Sequence, residues 1–150
     1  MTSNSLLKNK NFVLFLSIRW FYSLAIQSIT LTVGWQVYIL TGNPLDLGLI
    51  GLAQVLPIFL FILPSGVIAD KFDRKVVITL CTIVHLLVAI YLLYYSLGNP
   101  ESIWPILAAL LVHGTARAMY QPSLNAILPN IVEKKLFPNA TAYNSSVGKL

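Results

Sequence analysis

Residues 66–75 read Gly-Val-Ile-Ala-Asp-Lys-Phe-Asp-Arg-Lys, and this short charged stretch lies between two long apolar runs. The run before it begins near Asn43, and the run after it extends to Leu97. A helix needs about 20 apolar residues to cross the hydrocarbon layer of a bilayer, which is roughly 30 Å thick. Both runs are long enough, so residues 66–75 are predicted to form a loop between two membrane-crossing helices.

Two further apolar runs flank this pair of helices, one on each side along the chain. The four predicted spans are therefore about 12–40, 46–69, 76–97 and 103–126. A fifth helix is predicted to begin within residues 139–150, but twelve residues rise only about 18 Å and cannot cross the membrane. The first run is too long for a signal peptide, whose apolar region has about 7–15 residues.

Turn residues between the runs predict where two of the helices begin or end. Asn43 is expected to cap the second helix, with Pro44 in its first turn and Asp46 near the positive end of the helix dipole. Gly98 is expected to end the third helix in the left-handed conformation that glycine adopts without strain.

Composition excludes several classes of protein. The chain is 57% hydrophobic and only 10% charged, whereas soluble domains carry about 25% charged residues. Its net charge of +5 suits anionic headgroups, so membrane lipids are expected partners and nucleic acid is not. One cysteine and two histidines do not make a metal site, and no nucleophile motif is present. We therefore expect neither an enzyme nor a bound metal or cofactor.

The basic residues of the short connections all fall on one predicted side of the membrane. They are Lys8 and Lys10, then Lys71, Arg74 and Lys75, and finally Lys134 and Lys135. The connections at 41–45 and 98–102 contain no Lys or Arg. Positive charge favours the cytoplasmic side of a membrane, so the N-terminus and residues 66–75 are predicted to lie in the cytoplasm.

Polar side chains inside the predicted spans are candidates for lining a substrate cavity, because ionisable groups at membrane depth persist mainly when they face protein or water. The candidates are Arg19 and Gln27 in the first span, Gln54 in the second, and His113 and Arg117 in the fourth. Each arginine either snorkels to headgroups or binds an anionic substrate or a carboxylate from elsewhere in the protein. His85 is interpreted as a neutral, hydrogen-bonded residue rather than a proton carrier.

The loop carries a family resemblance. Gly66, Asp70, Lys71, Arg74 and Lys75 resemble the cytoplasmic loop motif of the major facilitator superfamily, G-x-x-x-D-(R/K)-x-G-(R/K)-(R/K). Asp73 replaces the second glycine, a variant similar to the branch that includes enterobactin exporters and macrolide efflux proteins. Residues 120–123, 128–132 and 136–140 also look like that branch. From the residues alone, Gly66 would allow another helix to approach, and Asp70 would pair with Arg74 if the backbone stayed helical.

The resemblance implies the fold and the activity. The expected fold is an all-α membrane protein with four transmembrane helices and the start of a fifth, forming part of a six-helix N-terminal bundle. The expected function is that of an N-terminal fragment of an efflux permease in a bacterial inner membrane, an antiporter that exports a small molecule, anionic in one reading, by proton-coupled alternating access when complete. Its partner would be the missing C-terminal part, to which the loop motif is latched. The alternative is a small stand-alone membrane protein that regulates or assembles with a partner transporter.

Overall fold

The computed structural model describes residues 9–132 and 140–141, without the side chains of residues 62, 63, 65, 67–70 and 130. Four long helices account for nearly all of this part of the chain. They are α1 (Lys10–Thr41), α2 (Pro44–Lys71), α3 (Arg74–Leu97) and α4 (Trp104–Ile131). The prediction of an all-α chain with four long helices is confirmed.

The helix boundaries follow the predicted spans closely except at the end of α4. The other boundaries lie within two residues of the prediction, whereas α4 continues to Ile131 instead of ending near residue 126. It passes through Pro122 and Pro129, since one proline removes a single hydrogen bond and does not always end a helix. Ala140 and Thr141 are helical, and the rest of the predicted fifth helix lies outside the described residues.

Three of the helical segments in the described part of the chain are long and apolar enough to cross a membrane. They are Lys10–Thr41, Pro44–Phe61 and Arg74–Leu97. Helix α4 has 28 residues but is not among them. It carries His113, Arg117, Gln121 and Asn125, which lower its hydropathy. Three of the four predicted spans are thus supported by length and composition, and the crossing by α4 stays a prediction.

The predicted start of α2 is confirmed in detail. The Asn43 Oδ1 atom accepts a hydrogen bond from the Leu45 backbone N–H at 3.1 Å, which satisfies one of the free N–H groups of the first turn. Pro44 is the first helical residue, and Asp46 lies in the first turn. The preceding turn is made by Gly42, whose φ of 62° is readily accessible only to residues such as glycine.

The end of α3 differs from the prediction. Gly98 has φ −85°, and its backbone N–H donates to the Tyr95 carbonyl oxygen, so glycine is not the left-handed residue here. That conformation is adopted by Asn99, with φ 55°. Asparagine tolerates the left-handed region better than most residues, which explains why the turn forms one position later than expected.

The loop between α2 and α3 is shorter than the predicted residues 66–75, since only Phe72 and Asp73 lie between the two helices. Helix α2 ends at Lys71, and Asp73 adopts an extended conformation with φ −60° and ψ 118°. Its carboxylate accepts a 2.8 Å hydrogen bond from the Lys75 backbone N–H and so caps α3. Because the backbone is not helical at Asp73, the predicted one-turn spacing between Asp70 and Arg74 is not met. The side chain of Asp70 itself lies outside the described residues.

The chain divides into two compact units, of which the first comprises Met1–Thr30 and Ala126–Leu150. In its described part, Asn9 caps α1 by accepting hydrogen bonds from the backbone N–H groups of Asn11 and Phe12. The Asn9 side-chain amide also donates to the Ile131 carbonyl oxygen at 3.4 Å. Phe12 and Leu128 are buried in this unit. The start of α1 and the end of α4 are therefore tied together.

The second unit is Leu31–Asn125, and it contains α2, α3 and most of α4. Large apolar side chains cover much of its outside: Phe59 is 71% exposed, and Leu86 and Leu87 are each 59% exposed. A surface this apolar is unusual for a monomer in water and is typical of helices that contact lipid or further helices. Among its described residues, four polar side chains are buried on its inside: Gln54, His85, His113 and Ser123.

Candidate functional site

Helix α3 places one histidine in the interior of the second unit. Its buried residues are Val77, Cys81, His85, Val88 and Leu92. Their spacings of three and four residues put them on one face of the helix. His85 lies at the middle of this face and is only 7% exposed.

Helix α4 places the second histidine opposite the first. His113 is completely buried, and its ring stacks on the His85 ring with centroids 4.5 Å apart and an angle of 29° between the planes. Tyr120 is also almost fully buried, and its ring centroid lies 6.2 Å from that of His85. We call His85 and His113 the histidine pair.

The polar atoms of His113 are not satisfied by the packing. Neither its Nδ1 nor its Nε2 atom makes a hydrogen bond with the described residues. A buried polar group without a partner costs about 1–3 kcal/mol, and most buried groups avoid that cost. A fully buried imidazole in this condition indicates a site whose polar partner comes from outside the described chain.

A tight crossing of α2 and α4 fixes the position of His113. A Cβ atom on the adjacent residue, Gly114, would lie 2.6 Å from the Gln54 carbonyl oxygen and 3.1 Å from the Pro57 Cγ atom. Only glycine therefore allows this approach of the two backbones. The side chain of Gln54 is 5% exposed, so an amide group is buried close to this crossing.

Arg117 follows His113 by one turn of α4 and is half-buried. Its positive charge repels a positive charge on either ring of the histidine pair. No Asp or Glu occurs between Asp46 and Asp70 of α2, or anywhere in α3 and α4. The cluster therefore combines two imidazoles and a guanidinium without a carboxylate from these segments.

The structure brings together some of the candidate residues predicted from sequence. Gln54, His113 and Arg117 belong to the second unit, where His113 and Gln54 are both buried. Arg19 and Gln27 belong to the first unit, where Arg19 is half-buried and Gln27 is exposed. Whether these five residues line one cavity stays a prediction.

Sequence reasoning did not include His85 among the cavity candidates and did not single out Gly114. The buried face at residues 77, 81, 85, 88 and 92 was a signal for His85, since the histidine occupies the middle of an otherwise apolar stripe. Nothing in the sequence of α3 identifies the helix that this stripe contacts. The contact with α4 is therefore information that only the structure supplies.

The loop motif is described only in part. Lys71 and Lys75 are exposed, and Arg74 is half-buried. Among the described residues, no atom lies within 4 Å of a Cβ placed on Gly66. The close helix approach expected at Gly66 is therefore not made by these residues, and the role of the motif as a latch stays a prediction.

A shallow groove between α3 and α4 is apolar and does not include either residue of the histidine pair. Its lining side chains include Val84, Leu87, Tyr91, Ala108 and Val112. None of the residues predicted to bind substrate lines it. Such a surface suits an acyl chain or another helix better than a polar cargo.

Known proteins resemble this chain over most of its length. Residues 4–149 match the protein family described as "Transmembrane secretion effector". The chain is 25% identical over 128 residues to the uncharacterized MFS-type transporter YfiS of Bacillus subtilis (strain 168), an alignment that covers 85% of this chain and 28% of that protein. It is 23% identical over 107 residues to macrolide efflux protein A of Streptococcus pyogenes, with 71% of this chain and 26% of that protein covered.

These alignments set a limit as well. The chain spans about a quarter of the length of the curated relatives that it matches. No solved structure matches it.

Proposed function

The chain belongs to the family of transmembrane secretion effectors within the major facilitator superfamily, and from that premise we propose that it forms the N-terminal part of a permease that exports a small molecule. A multi-pass membrane protein follows from the family and from the three long apolar helices. Export, rather than import, is supported by the similarity to a macrolide efflux protein.

The observation that carries the proposal is the buried polar cluster of the second unit. Gln54, His85 and His113 are each at most 7% exposed, although the outer surfaces of their helices are apolar. A soluble protein would place such groups outside and apolar groups inside. A transporter needs the opposite arrangement, because lipid surrounds it and its cargo passes through its interior.

The mechanism that we propose is alternating access, in which one half of the transporter rocks against the other around a site near the membrane midplane. Proton movement would drive the cycle. Residues 66–75 would face the cytoplasm of a bacterial inner membrane and join the two halves there. Anionic lipid headgroups would contact the exposed Lys71 and Lys75.

Export is tested by accumulation in cells. The gene that contains this chain is expressed in a bacterial strain that lacks its main exporters, and the cellular content of a radiolabelled macrolide and of benzoate is measured. We expect the content of at least one compound to fall several-fold against an empty vector and to return when a protonophore removes the gradient. Unchanged content of both compounds, in cells whose membranes contain the protein, contradicts the proposal for these two cargo classes.

Anion selectivity is tested by Arg117→Ala in the same assay. Because the guanidinium is the cation nearest to the histidine pair along α4, its removal should weaken the export of benzoate at least tenfold more than that of the uncharged amide benzamide. Lys10→Ala, at the exposed start of α1, is the matched cation control. An equal loss for both compounds would rule out an anion contact at Arg117.

A further inference from the structure

The histidine pair lacks an explanation in helix packing alone. His113 is fully buried, and its two ring nitrogens make no hydrogen bond with the described residues. Apolar side chains of similar size would fill the same space without that cost. The unsatisfied nitrogens therefore point to a ligand that supplies their hydrogen bonds.

Charge limits what this ligand can be. Arg117 lies one turn from His113, and its charge acts on both imidazoles. A second positive charge beside it, in a poorly screened interior, would be repelled unless an anion lay near both. A protonated imidazole and a guanidinium are also the usual donors to a carboxylate.

Among the side chains that the structure describes in this unit, none that faces the pair carries a negative charge. Helix α2 contributes Gln54, α3 contributes Cys81 one turn before His85, and α4 contributes Arg117 and Tyr120. The part of α1 within this unit has one titratable group, Tyr38, which is 46% exposed. None of these described groups supplies a compensating negative charge, and a bound anion would supply it.

We infer that the histidine pair and Arg117 form a site that binds one organic carboxylate together with one proton. The proton comes from solvent and resides on an imidazole nitrogen, where it donates a hydrogen bond to the incoming carboxylate. Arg117 donates to the same group. Only one of the two stacked rings would be protonated at a time, because two positively charged rings with centroids 4.5 Å apart would repel each other.

The inference refines the proposed function in one respect, the anionic cargo. A proton that enters together with its anion is not exchanged against it. The proton that drives export would then bind at a different position. The proton on the histidine pair would instead offset the negative charge of the cargo within the membrane.

The test measures proton uptake and not transport, so it is independent of whether the protein exports anything. The purified chain is reconstituted in lipid nanodiscs, and benzoate is titrated by calorimetry in two amine buffers with different ionisation enthalpies. The difference in heat gives the number of protons taken up for each benzoate bound. Benzamide, which has nearly the same shape and no charge, is the matched control ligand.

We expect about one proton per benzoate, and therefore binding that weakens about a hundredfold between pH 6 and pH 8. Benzamide should cause no proton uptake. In the double variant His85→Gln/His113→Gln, which removes both histidines of the chain, benzoate should bind without proton uptake and without this dependence on pH. Arg117→Gln should weaken benzoate binding at least tenfold, whereas Lys10→Gln should leave it unchanged.

Three results would overturn the inference. They are the absence of benzoate binding to the unmodified chain, benzoate binding without proton uptake, and proton uptake that persists in the double histidine variant. Circular dichroism of each variant shows whether its helices have formed, and the single variants His85→Gln and His113→Gln provide the comparison if the double variant does not fold. A chain that exports its cargo yet shows any of these results would keep the proposed function and lose this site.

Discussion

Gly114 is the residue on which the position of the histidine pair depends most directly. It lies next to His113 at the point where α4 crosses α2, and a Cβ atom there would lie 2.6 Å from a backbone carbonyl oxygen. A backbone atom cannot rotate away as a flexible side chain can. The crossing would have to open to accept any larger residue.

Gly114→Ala is therefore expected to destabilise the protein by about 1–3 kcal/mol, the usual cost of inserting a methyl group into a closely packed contact. Gly51→Ala is the matched control, because Gly51 lies in α2 with no described atom within 4 Å of a Cβ. The control should be neutral or slightly more stable, since alanine favours a helix by about 0.5–1 kcal/mol over glycine. Denaturant unfolding in detergent micelles, followed by helical circular dichroism, measures both. Equal stability of the two variants would show that the crossing is looser than described.

At the scale of the element, single residues determine where the helices begin and end. Sequence reasoning identified some of these residues and missed others. The predicted Asn43 cap and Pro44 start of α2 are both confirmed. They could be predicted because each depends only on residues next to one another in the sequence. The cap by Asp73 was missed, since the residue was compared with the glycine of a family pattern and not considered as an N-cap. The left-handed residue after α3 was placed at Gly98 and is Asn99.

The Asp73 cap leads to a prediction about α3. Asp73→Ala removes the acceptor of the Lys75 backbone N–H and should cost about 0.5–2 kcal/mol of stability. Asp73→Asn keeps a side-chain oxygen at the same place and should cost clearly less, although it removes the charge. The same unfolding assay compares the two. If both variants lose equal stability, then charge and not capping is the contribution of this residue.

Contacts between helices were less accessible to sequence reasoning than the helices themselves. The structure places His85 on a buried face of α3 and His113 in the interior part of α4, whereas the sequence pattern does not say which helix faces meet. The stacking of the two rings and the closeness of Gly114 to Gln54 depend on the relative rotation of α2, α3 and α4. That rotation depends on contacts between segments that are far apart in the sequence. The residue pattern of a single helix therefore does not predict it.

At the scale of the whole molecule, the family and the apolar helices agree on a membrane protein with an inverted distribution of polarity. Large side chains such as Phe59 and Leu86 are exposed, while Gln54, His85 and His113 are buried. The positive charges of the connections set the proposed orientation, with Lys71 and Lys75 in the cytoplasm. Helix α4 is the least apolar of the four helices. Whether it crosses the membrane is therefore the part of the topology that an experiment should test first.

Labelling of single cysteines tests this arrangement. The chain has one cysteine, the buried Cys81, and Cys81→Ser provides a background without thiols. Three variants each add one thiol: Phe72→Cys after α2, Glu101→Cys after α3, and Lys135→Cys after α4. Phe72 and Glu101 are both exposed, so reagent access to their positions depends on the side of the membrane.

In intact cells, a membrane-impermeant maleimide should label Glu101→Cys and should label Phe72→Cys and Lys135→Cys only after permeabilisation. Labelling of Lys135→Cys from outside would show that α4 does not cross the membrane. Labelling of Phe72→Cys in intact cells, with a cytoplasmic marker protein left unmodified, would place residues 66–75 outside and contradict the account of this chain as a transporter with a cytoplasmic loop.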